Sequence, residues 1–272
     1  MQHELEVAAR IARQAGDILM RIYATDFDVE YKGKSDPVTE ADKLANAFIV
    51  KALKEAFPND GIVAEETADQ SDALKGGRCW FVDPLDGTKE FIKKNGEFAV
   101  MLGLAVDGLS RLGAVYQPAK DKLYLGAEGI GATLEEKGSK RALQVSETKD
   151  PKALRLVVSR SHRAQSIDDL VSELGIEHEI ASGSVGLKVG LIAEQVADLY
   201  VHVSDRASAW DACGPEAILR AAGGRFTRLG GERYRYDRAD MRNHGGILAS
   251  NAVAYDAVFP VASKVGAAAS LV

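Results

Sequence analysis

The stretch Cys79-Trp80-Phe81-Val82-Asp83-Pro84-Leu85-Asp86-Gly87-Thr88-Lys89-Glu90-Phe91 runs from apolar residues straight into two aspartates. Cys79 to Val82 has the composition of a buried strand, and Asp-Pro and Asp-Gly are turn-forming dipeptides. The carboxylates of Asp83 and Asp86 therefore stand at a strand end, where Gly87-Thr88 lets the chain turn tightly and backbone N–H groups can face whatever the acids hold. Hard cations take oxygen ligands, and Mg²⁺ in particular combines carboxylates with substrate phosphate oxygens and water. On these residues alone, a metal-assisted phosphate site and a plain pair of turn formers are both open.

Upstream, Leu5, Ala8, Ile11, Ala12, Ala15, Ile18, Leu19 and Ile22 recur at three- and four-residue steps, which predicts one amphipathic helix over residues 4–23. A second helix follows Pro37, carries Leu44, Ala45, Phe48, Ile49, Ala52, Leu53 and Phe57 on one side, and ends in the turn cluster at 58–61. From 61 to 145 the runs IVAE, CWFVD, FAVMLGLAV, LGAVY and KLYLGA alternate with Gly, Asp and Pro, the pattern of a sheet. The polar break Lys149-Asp150-Pro151 divides an N-terminal α+β half, 1–150, from a C-terminal α/β half, 151–272. In the second half LRLVVS, ADLYVHV and GGILAS read as strands. Helices are expected at 167–174 (closed by Gly175), at 185–196, over PEAILRAA opened by Pro215 and stopped by Gly223-Gly224, and at 253–265. No internal repeat or low-complexity tract is present.

With 272 residues and 46% apolar composition the chain can build a sizeable core. Its net charge of -6 disfavours a coat on nucleic acid polymers or anionic membrane, but not a small anionic substrate held by local cations. No run approaches the ~20 apolar residues of a membrane span, and the N-terminus is charged where a signal peptide would be apolar. The expected location is the cytoplasm. Cys79 and Cys213 are far apart with no CxxC spacing and are expected to be buried thiols.

Further acids occur in three places. Glu65-Glu66 ends the run beginning at Ile62, where adjacent like charges cost energy unless a cation or solvent screens them. Asp211 lies in Trp210-Asp211-Ala212-Cys213-Gly214-Pro215-Glu216, where a helix N-cap would also stand. Thr39 and Asp42 have capping-box spacing. Each has a bland reading: a solvated pair, a cap, a capping box. Gly33-Lys34-Ser35 lacks the first glycine of a P-loop, Gly129-Ile130-Gly131 lacks the third glycine of a dinucleotide fingerprint, and acids three apart do not match the DxD of haloacid dehalogenase-type phosphatases.

Taken together these segments resemble the inositol monophosphatase-like superfamily of Mg²⁺-dependent, Li⁺-sensitive phosphatases. The signature is a strand ending DPxDGT, here Asp83-Pro84-Leu85-Asp86-Gly87-Thr88, and a later WDxxxxE helix start, here Trp210 to Glu216; VTEAD, the Glu65-Glu66 pair and the closing GGILASN extend the likeness over almost the whole chain. The resemblance implies a layered α-β-α-β-α sandwich of the inositol monophosphatase/fructose-1,6-bisphosphatase type. It implies Glu65, Asp83, Asp86, Asp211 and the Leu85 carbonyl as ligands of two or three Mg²⁺ ions, and Asp42 with Thr88 as the pair that orients and deprotonates the attacking water. Phosphate oxygens would lie against the backbone of Asp86, Gly87 and Thr88. Relatives form dimers, so a homodimer is expected by analogy.

Within the superfamily, Thr88-Lys89-Glu90-Phe91 is similar to the 3'(2'),5'-bisphosphate nucleotidases, the CysQ-type branch, which release AMP from 3'-phosphoadenosine 5'-phosphate. The Cys213-to-Leu219 run and Ser159-Arg160-Ser161-His162 point the same way. By the same resemblance Lys89, Ser184, Lys188 and Arg206 become candidate substrate contacts, Lys188 for a second phosphate and Arg206 for a bidentate grip on the 5'-phosphate. Lys89 and Lys188 read equally as solvated lysines, and the Ser184-to-Lys188 spacing departs from the compact Ser-Ser-Leu-Lys form. An inositol monophosphatase or other sugar-phosphate phosphatase is the alternative activity. A metal-binding relative without turnover is the alternative of another class; it would have no need of the Asp42–Thr88 pair.

Overall fold

The structure, a computed structural model, describes residues 1–33, 36–67, 72–161, 163–205 and 207–271. The first amphipathic stripe forms α1 (Gln2–Tyr23), which buries Leu5, Ala8, Ile11, Ala12, Ala15 and Leu19. A short antiparallel pair, β1 (Val29–Gly33) and β2 (Asp36–Thr39), leads into α2 (Glu40–Ala56). The second stripe holds in part. Ala45, Ile49 and Leu53 are buried, but Leu44 is 46% exposed, because a helix can turn only part of so wide an apolar arc onto one sheet.

Seven strands follow in chain order: β3 (Gly61–Ala64), β4 (Arg78–Asp86), β5 (Ala99–Val106), β6 (Leu109–Gln117), β7 (Lys122–Ala127), β8 (Gly131–Glu136) and β9 (Ser139–Leu143), with the short helix α3 (Thr88–Ile92) after β4. They form one sheet in sequential order, β3 parallel to β4 and every later pair antiparallel. The second half supplies β10 (Arg155–Ser159), α4 (Gln165–Leu174), β11 (His178–Ser182), α5 (Val185–Ala193), β12 (Leu199–His202), α6 (Ala209–Ala221), β13 (Arg225–Thr227), β14 (Ile247–Ser250) and α7 (Tyr255–Ala268). Its five strands run in the order β11-β10-β12-β14-β13.

Alternation along the strands sorts the layers. Trp80, Val82, Val100, Leu102 and Leu104 join α1 and α2 in one core. Phe81, Met101, Val115 and Tyr124 point the other way, onto Leu187 and Ile192 of α5 and Ala212, Cys213 and Ile218 of α6. The far side of those helices meets Val157, Tyr200, Phe226 and Ala249 of the small sheet, and α4 and α7 cover its outer face. The result is an α-β-α-β-α sandwich. Helix α6 lies directly on the large sheet: a Cβ on Gly113 would sit 2.0 Å from the Gly214 carbonyl oxygen, and one on Gly103 2.4 Å from the Gly214 nitrogen. Only glycine on both strands permits that approach, and it carries the start of α6 towards the end of β4.

Several elements were not legible as such. The hairpin β1–β2, strands β8, β9, β11 and β13 and helix α3 are short or polar, and short segments carry little periodicity of their own. Helix α6 does not open at Pro215. It starts at Ala209, capped by Ser208 in a capping box with Asp211, and Pro215 sits inside it.

Candidate active site

The acids converge because three chain segments meet at one place. Strand β4 delivers Asp83 and Asp86. Strand β3 lies parallel beside it with Ala64 opposite Val82, which brings Glu65 next to Asp83. The glycine contacts described above deliver the start of α6 with Asp211. One carboxylate oxygen each from Asp83, Asp86 and Asp211 lie within 4.8 Å of one another. Lys188 sets one positive charge near Asp86 against the three carboxylates.

The electrostatics follow. Burial pushes the Asp83 carboxyl well above its ordinary value, and Glu65, Asp86 and Asp211 push it further. Asp211 is raised by burial and then by Asp86 and Glu65. Asp86 is raised by burial against the opposing pull of Lys188 and of hydrogen bonds from Ser184 and Gly186. Poorly solvated like charges so close together are costly without a counter-ion, and an all-oxygen donor set suits a hard divalent cation. The residues therefore fit a metal of that class.

Each acid also has a local structural duty. Asp83 Oδ1 accepts the Leu85 N–H at 2.9 Å, an Asx turn. Asp211 Oδ2 accepts the Ser208 N–H at 2.5 Å. Asp86 Oδ2 accepts from Ser184 Oγ at 2.5 Å and from the Gly186 N–H at 3.1 Å. In every case backbone or a neighbouring hydroxyl fixes one oxygen and so orients the carboxylate that carries the second.

Asp42 repeats the arrangement. It closes the capping box of α2, its Oδ2 accepting both the N–H and the hydroxyl of Thr39 at 2.7 Å, and its Oδ1 faces Thr88 Oγ1 at 3.3 Å. The single Thr88 proton has a second acceptor, the Leu85 carbonyl, at 3.2 Å. Burial pushes the Asp42 carboxyl up to about 6, opposed by the Thr39 bonds and assisted by Glu66. Gly87, at φ 94°, makes the left-handed turn between Asp86 and Thr88; a Cβ there would meet the Glu97 carbonyl oxygen at 2.9 Å.

A cleft of about 1010 Å³ opens from this cluster, lined by Glu65, Asp83, Leu85, Asp86, Gly87, Thr88, Lys89, Ser184, Lys188 and Asp211 at one end. It continues past Ser159, Ile167, Tyr200, His202, Trp210 and Arg242. The residues missed by sequence reasoning lie mostly in that extension, on α4 and β12, where no motif marks them. Lys188 is not the solvated lysine of the second reading: it is 3% exposed, lines the cleft, donates to the Ser184 carbonyl at 2.7 Å, stands 5.1 Å from the Tyr200 ring centre and sets a positive charge near Asp86. Arg206 and His162 lie outside the described residues. Glu90, 4% exposed, accepts a hydrogen bond from Ser161. Cys79 and Cys213 are free and buried, the Cys79 thiol pushed up to about 12 by burial.

A partly buried carboxylate trio fit for a divalent cation, a proton acceptor one hydroxyl away and a roomy cleft at the seam of two sheets together define a metal-dependent hydrolase. The chain belongs to the inositol monophosphatase family, whose model matches residues 1–267. It is 39% identical over 222 residues to the 3'(2'),5'-bisphosphate nucleotidase CysQ of Salmonella typhimurium, covering 80% of this chain and 88% of that one. The CysQ of Buchnera aphidicola is 36% identical over 236 residues, 85% and 87% of the two chains. Among solved structures, CysQ from Bacteroides thetaiotaomicron superposes with TM-score 0.79 at 30% identity over 92% of this chain and 97% of that one. An inositol monophosphatase from Thermotoga maritima gives 0.83 at 26% identity, with 98% and 99% covered. The chain is a phosphatase of this family. Among the described residues no helix is long and apolar enough to cross a membrane.

Proposed function

We propose that the chain is a Mg²⁺-dependent 3'(2'),5'-bisphosphate nucleotidase that hydrolyses the 3'-phosphate of 3'-phosphoadenosine 5'-phosphate to AMP and phosphate. The observation that carries this reading is the partly buried Asp83–Asp86–Asp211 trio beside Asp42–Thr88, at one end of a cleft at the upper limit of the roughly 300–1,000 Å³ common for small-molecule sites. The likeness to CysQ nucleotidases and the Thr88-Lys89-Glu90-Phe91 stretch favour the nucleotide over an inositol ester.

Glu65, Asp83, Asp86, Asp211 and the Leu85 carbonyl would hold the Mg²⁺ ions. When bound, such ions supply positive charge to the phosphate oxygens and acidify a water. The protein's own part is positional. Thr88 Oγ1 accepts the proton of the attacking water while passing its own to Asp42 Oδ1, the oxygen that the capping box leaves facing it. The backbone at Gly87 and Thr88 meets the phosphate, and the outer cleft receives the nucleoside. On this reading the protein is cytoplasmic, acts on a small anionic phosphate ester, has neither nucleic acid polymers nor membrane as partners, and pairs with a second copy of itself.

The test is a comparison of kcat/KM for 3'-phosphoadenosine 5'-phosphate and inositol 1-phosphate in Mg²⁺ and in chelator. A preference of roughly 100-fold or more for the nucleotide is expected, since a site shaped to pair polar groups discriminates strongly against esters lacking them. A preference for the inositol ester would make the inositol monophosphatase reading the correct one.

A further inference from the structure

Glu97 lies on the loop that enters β5, and its carboxylate reaches the second half of the molecule. Arg160 grips it with two bonds, Nε at 2.6 Å and an Nη at 2.7 Å, and the same Nη donates to the Ala181 carbonyl at 2.7 Å. Glu97 Oε2 also accepts the Gly183 N–H at 2.8 Å. Gly183 is packed so closely that a Cβ would lie 2.5 Å from the Glu97 carbonyl oxygen and 2.5 Å from Glu90 Cγ. The next residue is Ser184, held at φ 51°, ψ 134°, a conformation that serine rarely adopts and that persists only when its surroundings impose it. Ser184 is the residue whose hydroxyl donates to Asp86.

We propose that Glu97 is a positioning residue: by clamping the 181–183 turn it keeps Ser184 Oγ and the Gly186 N–H on Asp86 Oδ2, and so aims the Asp86 carboxylate at its cation. This rests on the reading of Asp86 as a metal ligand. It also gives Arg160, in the Ser159-Arg160-Ser161-His162 run, a task other than contact with the nucleotide. The Glu97–Arg160 pair is partly exposed, and such pairs add little to global stability. Its loss should therefore appear in metal binding before it appears in melting.

Mg²⁺ binding to the substrate-free full-length chain, followed by calorimetry, tests the idea. Glu97→Ala is expected to weaken Mg²⁺ binding roughly ten-fold or more, the usual penalty for losing a partner that orients a ligand. Glu97→Gln, whose amide oxygen still accepts the Gly183 N–H, should recover most of the loss. Ser184→Ala should weaken binding too, and combined with Glu97→Ala it should do no more than the worse single change, because Glu97 acts only through the bonds that Ser184 and Gly186 make to Asp86. Wild-type affinity in Glu97→Ala, or losses that add, would overturn the proposal. Should Glu97→Ala not fold, Arg160→Ala takes its place, with a loss of roughly three- to ten-fold expected and an unchanged affinity counting against the clamp. If wild type and Asp86→Asn were equally unable to bind Mg²⁺, the metal reading itself would fall and the clamp with it.

Discussion

Asp83→Asn is expected to lower kcat/KM by more than the ~100-fold that loss of a supporting partner costs, while leaving the protein folded. The substitution isolates the charge. Asn can still offer an oxygen to the Leu85 N–H, so the Asx turn that ends β4 survives, and the change in volume is negligible. What disappears is one anionic donor in a trio whose oxygens lie within 4.8 Å of one another. Stability supplies a second readout. The folded-state value of Asp83 lies well above its ordinary 3.8, so its favourable contribution is complete below that value and is lost as pH rises through the folded-state value. In chelator at neutral pH the wild-type trio therefore opposes folding, and Asp83→Asn should melt higher than wild type. In millimolar Mg²⁺ the order should reverse, because a cation that binds only the folded state stabilises wild type and not the variant. Melting curves in both conditions check this; a variant that melts with wild type in each would remove Asp83 from the metal site.

The site was legible to the extent that its residues double as local signals. Asp83 and Asp86 read as turn formers, Asp42 as a capping-box acid and Asp211 as a cap, and each of these readings competed with metal or proton chemistry. The structure shows no competition. A carboxylate has two oxygens: Thr39 fixes one of Asp42 and leaves the other to Thr88, and Ser208 fixes one of Asp211. Local structure is the means by which these acids are aimed. The solvated reading of Lys188 fails for a related reason. Its place in an amphipathic window suggests an exposed edge, but α5 is sandwiched between two sheets and has no exposed face at that point. Layering of this kind is set by tertiary contacts such as Gly103 and Gly113 against Gly214, which periodicity within one helix does not encode. Glu97 was overlooked because its partners, Arg160 and Gly183, are remote in sequence.

Asp42→Asn should separate catalysis from stability most sharply. If Thr88 relays the water's proton to Asp42, the rate of wild type should fall as pH drops through about 6, where burial places the Asp42 carboxyl. The asparagine variant should lose at least about 100-fold in kcat, and what activity remains should lack that acid limb. Its fold should nevertheless gain. An Asp raised from 3.8 to about 6 contributes stability that is present below 3.8 and lost as pH rises through about 6, so at pH 8 the ionised side chain costs the fold about 2–3 kcal/mol. Asparagine carries no such charge. Its oxygen can accept from Thr39, and its amide can donate to Thr88 Oγ1 while the Thr88 proton turns to the Leu85 carbonyl, so no buried polar group is stranded. Urea denaturation in chelator should then show the variant more stable than wild type at pH 8, with the difference vanishing near pH 4. A variant that keeps wild-type kcat would dismiss Asp42 as proton acceptor. One that loses kcat but is destabilised at pH 8 would instead mark Asp42 as a cap whose ionised form the fold requires.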